Sequence, residues 1–506
     1  MNAVARTPAE HKHSYKLREL LRGLVSDDVG AQLPDLCVTG ISLDSRACEQ
    51  GFAFLAVPGI NSHGISYAVQ AIKNGACVVL WQSTTELSEI NLPAAKCIAI
   101  PNLDRLLGVL ADRFYGHPSQ HLRIAGITGT NGKSTTAYLL ASAAQRCSIN
   151  AGYSGTVGYG RMHALRPSMH TTPDVVTVHR QLAEMYEQGA AVVAMEVSSH
   201  ALDQQRIAAV QMDTAVFTNL TRDHLDYHGS MQAYSDAKRQ LFNVSGLRHR
   251  VLNADDPFGR ELALAPSTAS MTTLYGSEAG IAGSRVLYAK NIELTEAGVC
   301  IDIGGSFGDA TLRSALLGRF NAENLLAALA VLLGWDVPLA HAVAALSEAE
   351  APPGRMELIK QGHKRVVVDY AHTPDALQKV LQVLKSHCRG RLICVFGCGG
   401  DRDAGKRPLM GAAAASHADC VVITNDNPRS ENPQLIIEAI QSGVGACPSI
   451  VQPDRSLAIA QAIEMAAPED MVLVAGKGHE DCQIIGDQVL HFSDREVVRA
   501  YLRGVA

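Results

Sequence analysis

The feature that most constrains the fold of this chain is a glycine-rich segment between an apolar strand and a helix. Residues 126–135 read GITGTNGKST, with a strand predicted over 122–125 and a helix over 136–144. In that setting glycines let backbone N–H groups close on phosphate oxygens at a helix N-terminus. Lys133 would reach the terminal phosphates, and the Ser134 hydroxyl would bind Mg²⁺. The segment predicts a nucleotide-phosphate site, although Ile127 stands where the common G-x-x-x-x-G-K-S loop has its first glycine. The alternative is an unoccupied glycine-rich turn.

Short apolar strands alternate with helical stretches, which predicts an α/β fold with parallel strands. The predicted strands lie over 51–57, 192–197, 214–218, 250–253, 365–368, 392–396, 420–423 and 471–474. The later strands end in polar or glycine-rich residues, where open α/β sheets place their ligands. Helices are predicted over 106–115, 231–242 and 325–333; the last is apolar on all sides and should be buried.

Length and composition exclude several classes of protein. A chain of 506 residues predicts roughly three domains. The net charge of −6 argues against a nucleic-acid-coating protein. Residues 1–16 lack an apolar signal-peptide core, and the longest apolar stretch, 325–335, is too short for a membrane span. Twelve scattered cysteines are typical of reduced thiols. We therefore predict a cytoplasmic protein that binds no nucleic acid and does not insert into a membrane.

Acidic and histidine side chains follow two of the central strands. Glu196 ends one strand, as a carboxylate must to reach a metal beside the phosphates. The segment 219–226, NLTRDHLD, follows the next strand and predicts either a second metal site or a helix cap. Lys238 lies on a predicted helix, where a solvated lysine is the ordinary expectation.

Six segments, in chain order, resemble the Mur ligase family. They are 129–134 (GTNGKS), 196–200 (EVSSH), 218–226 (TNLTRDHLD), 318–324 (GRFNAEN), 353–357 (PGRME) and 369–374 (DYAHTP). Within that family, 426–429 (DNPR), with 399–403 (GGDRD) and 476–480 (GKGHE), is similar to the branch that adds diaminopimelate. The resemblance runs from about Leu43 to the C-terminus.

The resemblance implies an α/β fold of three domains. These are an N-terminal UDP-binding α/β domain (1–101), a central P-loop ATPase-like parallel-sheet domain (102–350) and a C-terminal Rossmann-like domain (351–506). The implied activity is ATP-dependent addition of meso-2,6-diaminopimelate to UDP-N-acetylmuramoyl-L-alanyl-D-glutamate through an acyl phosphate, by a monomer, in peptidoglycan precursor synthesis. Alternatives are the same chemistry with lysine, a folylpolyglutamate-synthetase-like ligase, and a P-loop ATPase that acts as a switch.

The resemblance also implies roles for individual residues. ATP would be bound by Gly129, Thr130, Asn131, Gly132, Lys133, Ser134, Thr135, Asn321, Asn324, Arg355, Asp369 and His372. The UDP-muramoyl dipeptide would be bound by Leu43, Ser45, Ile60, Asn61, Ser62, His170, Thr171, Thr172, Ser198, Gln204 and Arg206. Diaminopimelate would be bound by Arg402, Asp426, Asn427, Pro428, Arg429, Gly476 and Glu480. Two Mg²⁺ ions would be held, one by Ser134 and Glu196, the other by His224 and a carbamylated Lys238. Lys133, His224 and Lys238 would be catalytic. His170 departs from the family pattern, which has Asn before the Thr171-Thr172 pair.

Overall fold

A computed structural model describes residues 13–59, 62–83, 96–277 and 284–504. Two compact units divide the chain. The first unit comprises residues 1–128, 150–215 and 224–248, and the second comprises residues 129–149, 216–223 and 249–506.

The first unit begins with a four-stranded parallel sheet. Its strands, in spatial order, are Gly40–Ser42, Phe52–Ala56, Val78–Trp81 and Cys97–Ala99. Leu55 and Leu80 point from this sheet into a core shared with helix Leu103–Phe114. That helix buries Leu103, Leu107, Leu110 and Phe114 on one face, which explains its amphipathic sequence.

A second sheet in the first unit carries candidate site residues at its strand ends. Strand Val192–Glu196 runs parallel to Arg123–Thr128 on one side and to Ala151–Gly155 on the other. Strand Gly158–Arg161 is antiparallel at the edge. Helix Val175–Glu187 begins where the Asp174 carboxylate accepts hydrogen bonds from the N–H groups of Val176 and Thr177, as an N-cap should.

The remaining elements of the first unit are short. The other strands are Tyr15–Lys16 and Cys37–Val38, and Thr214–Phe217 crosses from the first unit into the second. The other α-helices are Leu17–Leu20, Asp27–Gln32, Ala68–Lys73, Ser199–Asp203, Leu225–His228 and Met231–Arg239. Single turns of 3₁₀-helix occur at Ser45–Ala47, Gly64–Tyr67, Pro118–Gln120 and Gln240–Asn243.

The second unit contains strands of two larger sheets, besides a two-stranded hairpin. In the first, strands His249–Asn253, Met271–Gly276 and Arg285–Thr295 are parallel, whereas Gly298–Gly305 and Ala310–Ser314 continue antiparallel. The predicted parallel strands are confirmed, but the antiparallel strands were not anticipated. Helix Arg319–Gly334 is buried along nearly its whole length, as its apolar sequence predicts, and packs against helix Lys133–Arg146.

The second sheet of this unit has six strands. Their spatial order is Glu357–Gln361, Lys364–Asp369, Met471–Ala475, Leu392–Phe396, Cys420–Ile423 and Ser449–Val451, and only the first is antiparallel. Because carboxyl ends of parallel strands meet at one edge, the segments after residues 369, 396, 423 and 475 lie side by side.

Helices surround these two sheets. They are Pro257–Leu264, Leu339–Ser347, Pro374–Lys385, Lys406–His417, Pro433–Val444, Arg455–Met465 and Asp494–Leu502. Three begin with a polar cap followed by proline, a combination that favours helix initiation: Asp256-Pro257, Thr373-Pro374 and Asn432-Pro433. A hairpin, Cys482–Ile485 and Gln488–His491, completes the unit. All twelve cysteines are free thiols. Across the described ranges, no helix has both the length and the apolar character to cross a membrane.

Candidate active site

The phosphate loop joins its strand to helix Lys133–Arg146 through glycines that have no room for a side chain. Gly129 has φ +150°, and a Cβ there would lie 1.9 Å from Thr218 Oγ1. Gly132 has φ +85°, and a Cβ there would lie 2.5 Å from Asn324 Oδ1. The backbone is therefore close to neighbouring polar groups, as a phosphate-binding loop requires.

Hydrogen bonds join this loop to the segment that follows strand Thr214–Phe217. Thr130 N donates to Asn219 O at 2.7 Å, and Asn131 N donates to Asn219 Oδ1 at 3.0 Å. Thr218 Oγ1 donates to Asn131 O at 2.6 Å. The loop conformation is thus fixed by the protein itself, which lowers the entropic cost of ligand binding.

Asn321 and Asn324 lie on the helix that packs against the loop helix. Thr136 Oγ1 donates to Asn324 Oδ1 at 3.2 Å, and Asn324 Nδ2 donates to Asn321 Oδ1 at 2.9 Å. Asn321 Nδ2 in turn donates to Leu317 O at 2.8 Å. Both amides are buried, so they support the loop helix.

The C-terminal nucleotide residues form their own cluster at the end of strand Lys364–Asp369. The Asp369 carboxylate accepts hydrogen bonds from Met356 N and Ala371 N, both at 2.8 Å. Burial raises the pKa of Asp369, and these two N–H groups oppose the rise. The Arg355 guanidinium lies 4.8 Å from the centre of the Tyr370 ring. That arrangement presents a cation on an aromatic platform.

His372 belongs to the same cluster. Its ring packs edge-on against Tyr370 at 4.6 Å between centroids, and its Nδ1 lies 2.8 Å from Tyr370 O. The structure therefore groups three of the predicted nucleotide residues, Arg355, Asp369 and His372.

In the first unit, Glu196 lies at the end of its strand inside a cage of donors. Its Oε1 accepts from Tyr153 Oη at 2.6 Å and from Thr156 N at 2.7 Å. Thr156 Oγ1 donates to the other oxygen, Oε2, at 3.3 Å. These bonds hold a buried carboxylate in one orientation. Tyr153 and Thr156 were not predicted, because nothing in their local sequence marks them.

Predicted dipeptide-binding residues gather beside Glu196. Thr172 Oγ1 donates to Glu196 O at 2.9 Å and accepts from Ser198 N at 3.2 Å. Arg206 donates to Thr172 O at 2.8 Å and to Gln204 Oε1 at 2.6 Å. These hydrogen bonds join Thr172 to the segment 198–206 in one polar surface.

His170 and Thr171 precede that surface. His170 is exposed, and its carbonyl accepts from Ser168 Oγ at 2.8 Å. Thr171 Oγ1 lies 3.0 Å from Thr156 Oγ1, which places it next to the Glu196 cage.

The predicted UDP residues lie around the N-terminal sheet. Leu43 is half-buried, Ser45 is buried and donates to Gln70 Oε1 at 2.9 Å, and Ser62 is exposed. The other two predicted UDP residues, Ile60 and Asn61, lie outside the described residues.

Lys238 differs from the ordinary expectation for a helical lysine. It is only 1% exposed, and its Nζ lies 4.3 Å from the centre of the Tyr234 ring. The expectation of a solvated lysine is wrong, because helix Met231–Arg239 turns this face inward together with Tyr234 and Ala237. His224 lies nearby in sequence with φ +51° and packs edge-on against His200 at 5.0 Å.

Two of the predicted metal residues in the first unit differ in the ligand that each would offer to Mg²⁺. Glu196 offers a held carboxylate, and Lys238 is a buried amine whose carbamate would add anionic oxygen. Hard cations of this kind prefer oxygen ligands.

The predicted amino-acid residues meet at the carboxyl edge of the six-stranded sheet. Arg429 has φ +52°, uncommon for a residue with a side chain, and its Nη1 donates to Gly400 O at 2.7 Å. A Cβ on Gly399 would lie 2.9 Å from that Nη1 and 3.8 Å from Arg402 Cγ. Both arginines therefore border the same glycine turn.

Acidic residues complete this site. A Cβ on Gly476 would lie 2.9 Å from Asp426 Oδ2, so this backbone touches the carboxylate. Glu480 Oε2 accepts from Asn427 Nδ2 at 3.3 Å. Burial raises the pKa of Glu480, and nearby Asp426 raises it further. Pro428 is buried at the turn. The site thus combines two cations and two carboxylates, which suits a zwitterionic ligand.

The chain matches three sequence profiles of one family along most of its length. "Mur ligase family, catalytic domain" matches residues 37–115, "Mur ligase middle domain" residues 127–332, and "Mur ligase, glutamate ligase domain" residues 354–478.

Individual relatives agree with these matches. The chain is 47% identical over 476 residues to the UDP-N-acetylmuramoyl-L-alanyl-D-glutamate–2,6-diaminopimelate ligase of Alkalilimnicola ehrlichii, covering 92% of this chain and 94% of that protein. It is 44% identical to the ligase of the same name from Coxiella burnetii, covering 92% and 96%. A solved structure of a ligase of that name superposes with a TM-score of 0.71 at 34% identity, covering 97% of this chain and 99% of the other.

Proposed function

This chain belongs to the Mur ligase family, and on that premise we propose that it is an ATP-dependent amide ligase. The proposed reaction adds meso-2,6-diaminopimelate to UDP-N-acetylmuramoyl-L-alanyl-D-glutamate and forms ADP and phosphate. The observation that carries the proposal is the 47% identity, over 92% of the chain, to a ligase named for these substrates. We also propose the division into UDP-binding (1–101), ATP-binding (102–350) and amino-acid-binding (351–506) domains.

The first step activates a carboxylate, which is a poor electrophile. The terminal carboxylate of the dipeptide attacks the γ-phosphorus of ATP, the bond to the β-phosphate oxygen breaks, and ADP leaves. The product is an acyl phosphate. Lys133 would neutralise negative charge on the phosphoryl group during transfer, and the hydrogen-bonded loop would hold the phosphates in line.

The second step forms the amide. The uncharged amine of diaminopimelate attacks the carbonyl carbon, a tetrahedral intermediate forms, and inorganic phosphate leaves with the bonding electron pair. The amine loses one proton to the surroundings. Asp426, Glu480 and the two arginines would orient the amino acid, because each opposite charge on the ligand has a partner there.

Mg²⁺, when bound, would lower the charge on the transferring phosphoryl oxygens. Glu196 and Ser134 are proposed to hold one ion, and His224 with carbamylated Lys238 a second. The orienting bonds from Tyr153 and Thr156 to Glu196 are typical of the support that metal-ligating carboxylates receive.

Arg429 supplies the test of amino-acid selectivity. Its planar guanidinium can pair with the distal carboxylate of diaminopimelate through two parallel hydrogen bonds, a group that lysine lacks. Sites built around a polar group reject an analogue without it by roughly 10⁴. We expect wild-type protein to release ADP with the UDP-muramoyl dipeptide and diaminopimelate, and to use lysine very poorly.

The variants sharpen this test. Arg429→Ala should lower kcat/KM for diaminopimelate by about 10²–10³ while the KM for ATP changes little. Arg429→Lys should not restore activity, because an ammonium cannot reproduce the two parallel hydrogen bonds of the planar guanidinium. Arg503→Ala, at an exposed arginine near the C-terminus, is the matched control. Comparable use of lysine and diaminopimelate by the wild type would contradict the assigned amino acid, and ADP release without the dipeptide would favour an ATPase.

A further inference from the structure

Lys477 is a buried lysine that the proposed reaction does not use directly. Its side chain is 0% exposed. Nζ donates to Asn427 Oδ1 at 2.7 Å and to Cys482 O at 2.8 Å. A charged group excluded from water is costly unless it is hydrogen-bonded and compensated, so its place here needs a reason.

The first consequence concerns Asn427, whose side chain is fully engaged by the protein. Its Oδ1 accepts from Lys477 Nζ and also from Ile484 N at 3.0 Å. Its Nδ2 donates to Glu480 Oε2 at 3.3 Å. Because both the oxygen and the nitrogen of the amide are hydrogen-bonded, Asn427 connects the turn to Lys477, Ile484 and Glu480.

The second consequence concerns the backbone of Arg429. Arg429 N donates to Ile484 O at 3.1 Å, and Gly486 N donates to Arg429 O at 2.8 Å. These two hydrogen bonds hold the Arg429 backbone against the hairpin, at strand Cys482–Ile485 and the turn that follows it. Lys477 is hydrogen-bonded to the start of that hairpin through Cys482 O and to the turn 426–429 through Asn427. It therefore joins the two segments that fix the position of Arg429.

The third consequence is electrostatic. Lys477 Nζ lies 3.9 Å from Glu480 Oε2. Burial raises the pKa of Glu480, and the positive charge of Lys477 opposes that rise. Burial lowers the pKa of Lys477, and the charge of Asp426 opposes that fall. Lys477 therefore helps keep an anion facing the site.

We propose that Lys477 is a positioning residue for amino-acid selectivity, which orients Arg429 towards the distal carboxylate of the substrate and Glu480 towards its distal ammonium. This inference rests on the proposed function, because it concerns the same amino-acid site. Lys477 touches no reacting atom; it acts through the turn and the hairpin.

The experiment compares wild type with Lys477→Met, which keeps most of the side-chain volume and removes the charge and the donors. ADP release is measured while diaminopimelate, lysine and ATP are varied in turn. We expect the KM for diaminopimelate to rise about 10- to 100-fold and the preference over lysine to fall at least about 10-fold, since hydrogen bonds to charged groups are worth this much. The KM for ATP should stay near the wild-type value.

Lys364→Met is the matched control. Lys364 Nζ also donates to backbone oxygens, Ile463 O at 2.7 Å and Ala466 O at 2.6 Å, but at the opposite end of the same sheet. A general loss of stability would affect both variants, whereas a loss of selectivity should appear only at Lys477. Lys477→Gln, which keeps one amide donor, should fall between wild type and Lys477→Met.

Coupling to Asn427 gives a second readout. If Lys477 acts through this amide, the effects of Lys477→Met and Asn427→Ala on the KM for diaminopimelate should be far from additive. Unchanged selectivity in folded Lys477→Met, or loss of the fold in both Lys477 variants, would overturn the proposal in favour of a purely structural role. A wild type that fails to use diaminopimelate would instead overturn the proposed function itself.

Discussion

Lys133 lies across its own loop. Its Nζ donates to Gly129 O at 3.0 Å and to Thr130 O at 2.9 Å. The ammonium is therefore held against the backbone of the loop. The sequence motif predicts this strand–loop–helix arrangement correctly because the strand, the glycines and the start of the helix are contiguous in sequence.

Lys133→Ala should abolish most turnover and leave the fold intact. The ammonium acts on charge in the transferring phosphoryl group, and losing such a group costs roughly 3–4 kcal/mol in barrier, or about 10²–10³ in rate. ADP release and circular dichroism together check this. Lys379→Ala, at an exposed lysine paired with Asp375, should behave as wild type. Normal turnover by folded Lys133→Ala would exclude the assigned role.

Lys238 carries the second prediction at this scale. Its burial beside Tyr234 suits an amine that reacts with CO₂, because the carbamate would place anionic oxygen where Mg²⁺ is needed. Lys238→Ala should be nearly inactive, and added short carboxylates should partly restore turnover by replacing the lost oxygen ligand. ¹³C-labelled bicarbonate should give a carbamate signal in wild type and none in the variant. A wild-type protein without that signal would rule out the modification.

At the scale of elements, the strands were predictable because burial on both faces leaves continuous apolar runs. Leu392–Phe396 and Cys420–Ile423 have the predicted bounds. Lys364–Asp369 is one residue longer than predicted at each end, and Met471–Ala475 is one residue longer at its C-terminal end. Polar motifs then follow those ends, so the sequence also indicates the edge of the sheet where a site should form. The position where a strand ends can therefore be predicted from the residues around it.

Other features depend on contacts that no local pattern in the sequence marks. Arg285–Thr295 pairs antiparallel with Gly298–Gly305 and mixes exposed with buried residues, so it has no continuous apolar run. The burial of Lys238 follows from what its helix packs against. The sequence marks Lys477 only as part of the segment 476–480, whereas its burial and its hydrogen bond to Asn427, 50 residues away, depend on the tertiary fold.

At the scale of the whole chain, His387 joins the segment before strand Leu392–Phe396 to strand Arg285–Thr295 and to the start of helix Arg319–Gly334. His387 is 2% exposed; Gly318 N donates to its Nε2 at 2.8 Å, and its Nδ1 lies 2.6 Å from Thr295 O. Nε2 must accept, so Nδ1 carries the proton and the ring is neutral. Gly318 is the N-cap of the helix that packs against the loop helix Lys133–Arg146, so this histidine is hydrogen-bonded to the start of that helix.

The pH dependence of stability tests that link. Burial lowers the pKa of His387 below its ordinary 6.5, and the charge of Lys360 lowers it further, so the unfolded chain binds the proton more readily than the folded one. Stability from this group is therefore full above about pH 6.5 and is lost as the pH falls towards the folded pKa. A proton on Nε2 would also remove the acceptor for Gly318 N.

We expect His387→Gln to cost about 1 kcal/mol at pH 7.5, because an amide satisfies one of the two partners but not both. Below pH 6.5 the difference from wild type should shrink, since glutamine does not titrate while His387 loses its contribution. Thermal unfolding of both proteins from pH 7.5 to 5.5 measures this. Other buried histidines, such as His179 and His479, are common to both proteins and cancel in the difference. His363→Gln, at an exposed histidine, should leave the pH profile unchanged. A gap between wild type and His387→Gln that stays constant over this range would show that His387 is not held neutral by the fold.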